Sequence, residues 1–303
     1  MYTRMLIALD GSNLAENVLP YARVLAGALG LRIDLLSVVE SLDFTSTTHA
    51  GHMRSVDSIV EAAMRAGEHY LQDVVAPSFA GVGVDHCFVE TGNPATIIME
   101  RAARDKGTLI GMATRGRSGV KRWLMGSVAE KVLRGADNPL LLVRGDEQGK
   151  SDGAATLKSI IVPLDGSKRA ETVLPHAIEL AKRLSLEIVL TRAYQIPAYA
   201  YPSGDAIYVP NIDALMTGLR EETGAYLEAK VNELRANGVE KVSTIPLVGS
   251  GADEIIDLGR ETPDNLIAMC THGRSGVDRW VLGSVTEKVV RHSGDPVLVV
   301  RAD

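Results

Sequence analysis

Cysteine is scarce in this chain. Cys87 and Cys270 are the only two in 303 residues, which excludes a disulfide framework and fits a reducing compartment. Aromatics make up 4% of the residues, too few for stacking platforms that bind nucleic acid. Basic residues are not in excess: 32 Lys and Arg against 38 Asp and Glu give a net charge of −6, which disfavours sequence-independent binding to nucleic acid or to an anionic membrane. No apolar run approaches the ~18 residues of a membrane span. The opening MYTRMLIALDGS reads as a first strand and lacks the apolar core and cleavage site of a signal peptide. No Gly-x-x-x-x-Gly-Lys-Ser/Thr phosphate loop occurs. The seven histidines form no ligand pattern: His49 and His52 stand close in a loop without counterparts elsewhere, and read as surface residues, not a zinc site. The expectation is a soluble, cytoplasmic protein with no metal site built from side chains alone.

What is present is a repeat. Residues 5–26 align with 160–181 at an offset of 155, with 12 of 22 positions identical. Residues 113–144 align with 270–301 at an offset of 157, with 19 of 32 identical. This period far exceeds the roughly 20–50 residues of solenoid repeats, so whole domains are duplicated. The glycine-rich, polar join at 145–156 reads as a linker, giving domains at 1–146 and 157–303.

Each half alternates strands and helices. In the first, apolar runs at 5–9, 31–39, 84–90, 108–113 and 140–144 read as strands. A helical pattern follows Asp10-Gly11-Ser12 and runs to about Leu29, with Pro20 (and Pro175 in the second half) placed to kink or delay it. After a loop at 40–52, residues 56–75 keep i, i+3, i+4 apolar spacing over about five turns. Asn93-Pro94 is a cap-and-proline helix start, and 127–135 is a short helix. Strands alternating with helices imply right-handed crossovers and a parallel sheet covered on both faces.

In such a sheet ligands bind beyond the carboxyl ends of the strands. Here those ends are Asp10, Val38 and Ala113 in one half and Asp165, Ala193 and Cys270 in the other. The loop after the fourth strand carries Gly116, nine residues, then Gly126-Ser127. Its counterpart carries Gly273, nine residues, then Gly283-Ser284. Glycines admit close backbone approach, and a helix start favours phosphate. The same residues also read as two capping boxes, Ser127 to Glu130 and Ser284 to Glu287, which need no ligand. Recurrence at a strand end and before a helix in both halves favours the phosphate reading. Asp10 and Asp165 read equally as ordinary turn residues or as ribose contacts.

With these residues the chain resembles the universal stress protein family in its tandem form. Nucleotide-binding members carry Gly-x-x-Gly, nine residues, then Gly-Ser/Thr. This chain matches at Gly116, Gly126 and Ser127, and at Gly273, Gly283 and Ser284, with Ala113 and Cys270 at the first glycine. The resemblance implies two Rossmann-like domains of the adenine nucleotide alpha hydrolase type, each a five-stranded parallel sheet of order 3-2-1-4-5. It implies a first site of Ala8, Asp10, Val38, Met112, Ala113, Arg115, Gly116, Gly126, Ser127 and Val128. The second would comprise Pro163, Asp165, Ala193, Met269, Cys270, His272, Gly273, Gly283, Ser284 and Val285. Aspartate would contact adenosine, and the backbone at Val38 and Ala193 would hold adenine. The ligand implied is ATP with Mg2+. Fifth-strand pairing is expected to join the halves as an intramolecular pseudo-dimer, with a homodimer of chains possible.

Other features admit plainer readings. Arg117, Lys121 and Arg122 make a solvated basic loop or meet phosphate, and Trp123 and Trp280 anchor that loop or stack on a base. Cys87 reads as a buried residue of the third strand. Tyr194, Tyr199, Tyr201 and Tyr208 form a packed lid or a partner surface, where the first half has only Phe44. The favoured function is a non-enzymatic, ATP-binding stress-response or regulatory module. The alternatives are a slow ATP hydrolase or phosphotransferase and a nucleotide-free interaction module. Ala113 against Cys270, Arg115 against His272 and Lys121 against Asp278 predict a tighter first site.

Overall fold

The computed structural model describes residues 1–40, 50–115, 125–145, 155–195, 211–271 and 282–302, with the side chains of 50–56 outside that description. The chain divides into two compact units, Met1–Ala155 and Thr156–Asp303.

In the first unit the strands are β1 (Arg4–Leu9), β2 (Arg32–Val39), β3 (His86–Thr91), β4 (Thr108–Ala113) and β5 (Leu140–Val143). All pairings are parallel: β1 lies between β2 and β4, β3 flanks β2, and β5 flanks β4. The order is therefore 3-2-1-4-5, and it reverses between β1 and β4. β4 and β5 are buried at every position, which is why they read as unbroken apolar runs and not as alternating ones. β3 is half-exposed, carries His86 and Glu90, and leaves Cys87 half-buried and not enclosed.

The entry helix is split. α1 (Asn13–Glu16) ends at Asn17, and α2 (Leu19–Leu29) restarts with Pro20 in its first turn, where a missing N–H costs nothing. The proline thus begins a second helix without kinking the first. α3 (Ala50–His69) starts earlier than its apolar pattern predicts, continues as a π-helical turn (Tyr70–Val75) and closes in a 3-10 turn (Ala76–Phe79). α4 (Pro94–Ala103) opens on Asn93, whose Oδ1 accepts from the Thr96 amide at 3.2 Å. α5 (Ser127–Gly135) leads to β5. α3 packs on β2 and β3, while α4 packs on β2, β4 and α5, so β2 is covered from both faces.

The second unit repeats the plan. Its strands are β6 (Ser159–Pro163), β7 (Glu187–Tyr194), β8 (Val242–Val248), β9 (Asn265–Cys270) and β10 (Val297–Val300). β6 pairs with β7 and β9, β7 with β8, and β9 with β10, all parallel. Its helices are α6 (Lys168–Glu171), α7 (Leu174–Leu184), α8 (Ile212–Ala236), α9 (Gly251–Glu261) and α10 (Ser284–His292).

Candidate functional site

The order reversal leaves a crevice at the carboxyl ends of β1 and β4. In the first unit a cleft of about 810 Å3 occupies this place. β1 contributes Ala8 with Asp10 just beyond it, β2 contributes Val38, and β4 contributes Met112 and Ala113 with Arg115 just beyond it. Gly126, Ser127 and Val128 bring the start of α5 to the same cleft. The structure thus brings nine of the ten first-site residues named from sequence together; the tenth, Gly116, lies outside the described residues. So do Arg117, Lys121, Arg122 and Trp123.

Asp10 is held by its own turn. Its Oδ1 accepts from the Ser12 amide at 3.0 Å and from the Ser12 hydroxyl at 2.6 Å. Ser12 in turn caps α1, its Oγ accepting from the Ala15 amide at 3.2 Å. Gly11 sits at φ +78°, a left-handed conformation that side chains resist. The turn reading of Asp10 is therefore realised, and the same turn fixes the carboxylate at the rim of the cleft.

The capping-box reading is overturned at both helices. The N-cap of α5 is Gly126, not Ser127, which is already its first helical residue. Gly126 has extended backbone angles of −65° and 146°, and its carbonyl accepts the Glu130 amide at 2.9 Å. The Gly126 amide donates to the Thr114 carbonyl at 2.7 Å. Glu130 pairs with Arg134 one turn on. α10 repeats the arrangement, with Gly283 as N-cap, its amide on the Thr271 carbonyl at 2.8 Å and Glu287 paired with Arg291. Neither helix start has a side-chain cap. The first-turn amides of α5, with the positive end of its dipole, face a cleft.

Glycine at 126 is a matter of room and not of dihedral angle. A Cβ there would stand 3.3 Å from the Thr114 carbonyl oxygen and 3.8 Å from the Arg115 Cα.

The other wall comes from α3 and was not singled out from sequence. Val60, Ala63, Gly67 and Tyr70 line the cleft, as does Ser37 of β2. The Tyr70 hydroxyl donates to Glu16 Oε1 at 2.9 Å at the head of the π-helical turn. Their i, i+3, i+4 spacing reads the same for a core face as for a cleft wall. The usable signal was the small residues Ala63, Ala66 and Gly67, which leave space beside the strand ends.

In the second unit Pro163 ends β6, Ala193 lies on β7, and Met269 and Cys270 end β9, both buried. Asp165 repeats the turn, its Oδ1 accepting from the Ser167 amide at 2.9 Å. The start of α9 approaches Ala193 and Val285 together: a Cβ on Gly251 would lie 3.7 Å and 4.0 Å from them. Cys270 Sγ accepts from the Thr172 hydroxyl at 3.4 Å, and its carbonyl accepts from Thr286 Oγ1 at 2.8 Å. His272, Gly273, Asp278 and Trp280 lie outside the described residues, as do Phe44, His49, Tyr199, Tyr201 and Tyr208. Among the described residues no three His, Cys, Asp or Glu side chains are placed to hold a metal ion. No described helix is long and apolar enough to cross a membrane.

The comparisons follow the duplication. A sequence model of the universal stress protein family matches residues 1–144 and again 156–301. Universal stress protein MJ0531 of Methanocaldococcus jannaschii is 29% identical over 150 residues, 50% of this chain and 85% of that protein. A universal stress protein of Mycolicibacterium smegmatis is 27% identical over 202 residues, 66% of this chain and 63% of that protein. The crystal structure of a universal stress protein from Archaeoglobus fulgidus shares the fold, with a TM-score of 0.68, 22% identity and 98% of both chains covered. With both halves matched and the α/β architecture in common, the chain belongs to the universal stress protein family and carries two copies of its domain in tandem.

Proposed function

We propose that the cleft of the first unit binds an adenine nucleotide, ATP with Mg2+, and that the chain is a nucleotide-dependent regulatory module. The observation that carries this reading is the uncapped start of α5, opening onto a cleft of about 810 Å3 whose rim also holds Asp10 and Arg115. Backbone amides at a helix start, a fixed carboxylate and an arginine are the groups that recognise phosphates and ribose. The apolar wall of Val38, Val60 and Ala63 suits a base. Mg2+ fits without a protein cage, because it keeps several waters and takes most of its other ligands from phosphates, with one or two carboxylates.

Efficient hydrolysis is not part of the proposal. It would need a residue that orients water as well as groups that position phosphate. The described lining includes no histidine or lysine; of its two carboxylates Asp10 is committed to its turn, and Glu40 lies just past the end of β2. Native mass spectrometry of the purified chain tests the reading: co-purified ATP or ADP supports it, and a ligand-free spectrum that stays unchanged after incubation with Mg-ATP favours an interaction module instead.

A further inference from the structure

The two units differ where the cleft of the first one lies. Strand register fixes the equivalence: Ala8 pairs with Leu36, and Pro163 with Thr191, so Ser37 on β2 corresponds to Arg192 on β7. The tyrosines fix the helices. Tyr70 donates to Glu16, and Tyr226 of α8 donates to Glu171 at 3.1 Å. Counting back along each helix, Ala66 corresponds to Glu222, and Gly67 to Thr223. Three small groups that line the first cleft are therefore replaced by larger ones.

Arg192 is held in that space. Only 8% of the residue is exposed. Its Nη2 donates to Glu222 Oε1 at 2.9 Å, and its guanidinium lies 5.0 Å from the centre of the Tyr226 ring. Tyr226 is itself anchored through Glu171, which Lys230 meets at 2.9 Å. The Glu222 carboxylate is 63% exposed, so what holds Arg192 in place is its own burial and the cation–aromatic contact, with the part-exposed ion pair adding less. In the first unit the corresponding residues Ser37, Ala66 and Gly67 are small and line the cleft, and Gly67 packs closely on β3, where a Cβ would stand 3.1 Å from Val89.

We infer that the second unit is closed to the ligand of the first by the Arg192–Glu222 pair, so that each chain carries a single nucleotide site, in the first unit. This rests on the proposed nucleotide function of the first cleft. Lys121, His272 and Asp278, whose differences predict a tighter first site, lie outside the described residues.

Calorimetric titration of the full chain with Mg-ATP reads the stoichiometry. One site per chain is expected, lost in Gly126→Val. Photolabelling with 8-azido-ATP followed by peptide mapping is expected to mark the first unit alone, and it needs no variant that could misfold. Arg192→Ser with Glu222→Ala removes both partners together and leaves no unpaired charge. It is expected to add a second site, which Gly283→Val in that background removes. Two sites in the unaltered chain, label in the second unit, or weaker binding after the Arg192→Ser and Glu222→Ala change would each overturn the inference while leaving a nucleotide function intact. Absence of any binding would instead overturn the function on which it rests.

Discussion

The amide of Gly126 donates to the carbonyl of Thr114 at 2.7 Å, so the chain that leaves β4 is stitched to the chain that enters α5. Gly283 and Thr271 repeat this at 2.8 Å. The bond takes the N-cap amide out of the helix's own needs and turns the next amides toward the cleft. It also brings the Gly126 Cα so close to the strand end that a side chain meets the Thr114 carbonyl.

Gly126→Val is therefore expected to abolish ATP binding in the first unit at a folding cost of about 1–2 kcal/mol, since its backbone angles suit any residue and only the crowding against the Thr114 carbonyl must be relieved. Thermal unfolding checks this. Saturating Mg-ATP, at about a hundred times the dissociation constant, stabilises a binding-competent protein by about 2.7 kcal/mol. That upward shift in Tm is expected in the unaltered chain and absent in the variant.

Ser185 ends α7 at φ +57°, where α2 ends on Gly30 at φ +64°. A side chain is disfavoured in this left-handed conformation. Ser185→Gly is expected to stabilise the protein by roughly 0.5–1 kcal/mol, less what glycine adds to the freedom of the unfolded chain. Denaturant unfolding measures it, with a midpoint shift at unchanged slope as the expected result.

Lys230 joins Glu171 and Glu233, at 2.9 and 2.7 Å, with only 10% of its side chain exposed; the side chain of Glu171 is 12% exposed. Lys230→Ala would leave Glu171 with Lys168 and the Tyr226 hydroxyl. The expected loss is about 1–3 kcal/mol, below that of a fully orphaned buried charge because two partners remain. Calorimetric unfolding of the variant at neutral pH gives the value.

His176 on α7 is half-buried, and burial pushes its imidazole down to about 4 from 6.5. A histidine held neutral in the folded state contributes stability that is present above the unfolded value. It is lost as pH falls from about 6.5 towards 4. With part of the ring in water the loss is of the order of 1–3 kcal/mol. His176→Tyr, which installs the residue found at Tyr21 in the first unit, is expected to flatten this part of the Tm–pH profile.

The legible parts of the molecule were those in which one physical signal dominates. β4 and α5 have the bounds read from sequence, because a fully buried strand is an unbroken apolar run and α5 follows a glycine. The helix after Asp10 was less legible. Asn17 and Val18 look helical in pattern, yet Pro20 begins a new helix there. β3 begins at His86, two residues late, because Asp85 bonds to Ile33 ahead of the regular ladder. In the site, the strand-end residues were legible from topology alone. The cap was not: a start at Gly126 and one at Ser127 differ by one residue, and the Glu130 amide, bonded to the Gly126 carbonyl, decides between them. The Arg192–Glu222 pair was invisible as well, since it joins β7 to α8 across 30 residues.

Isothermal titration of the full chain with Mg-ATP tests the central claim most directly. Saturable binding that requires Gly126 is the predicted result. The absence of binding at millimolar nucleotide, or affinity unchanged in Gly126→Val, would contradict it.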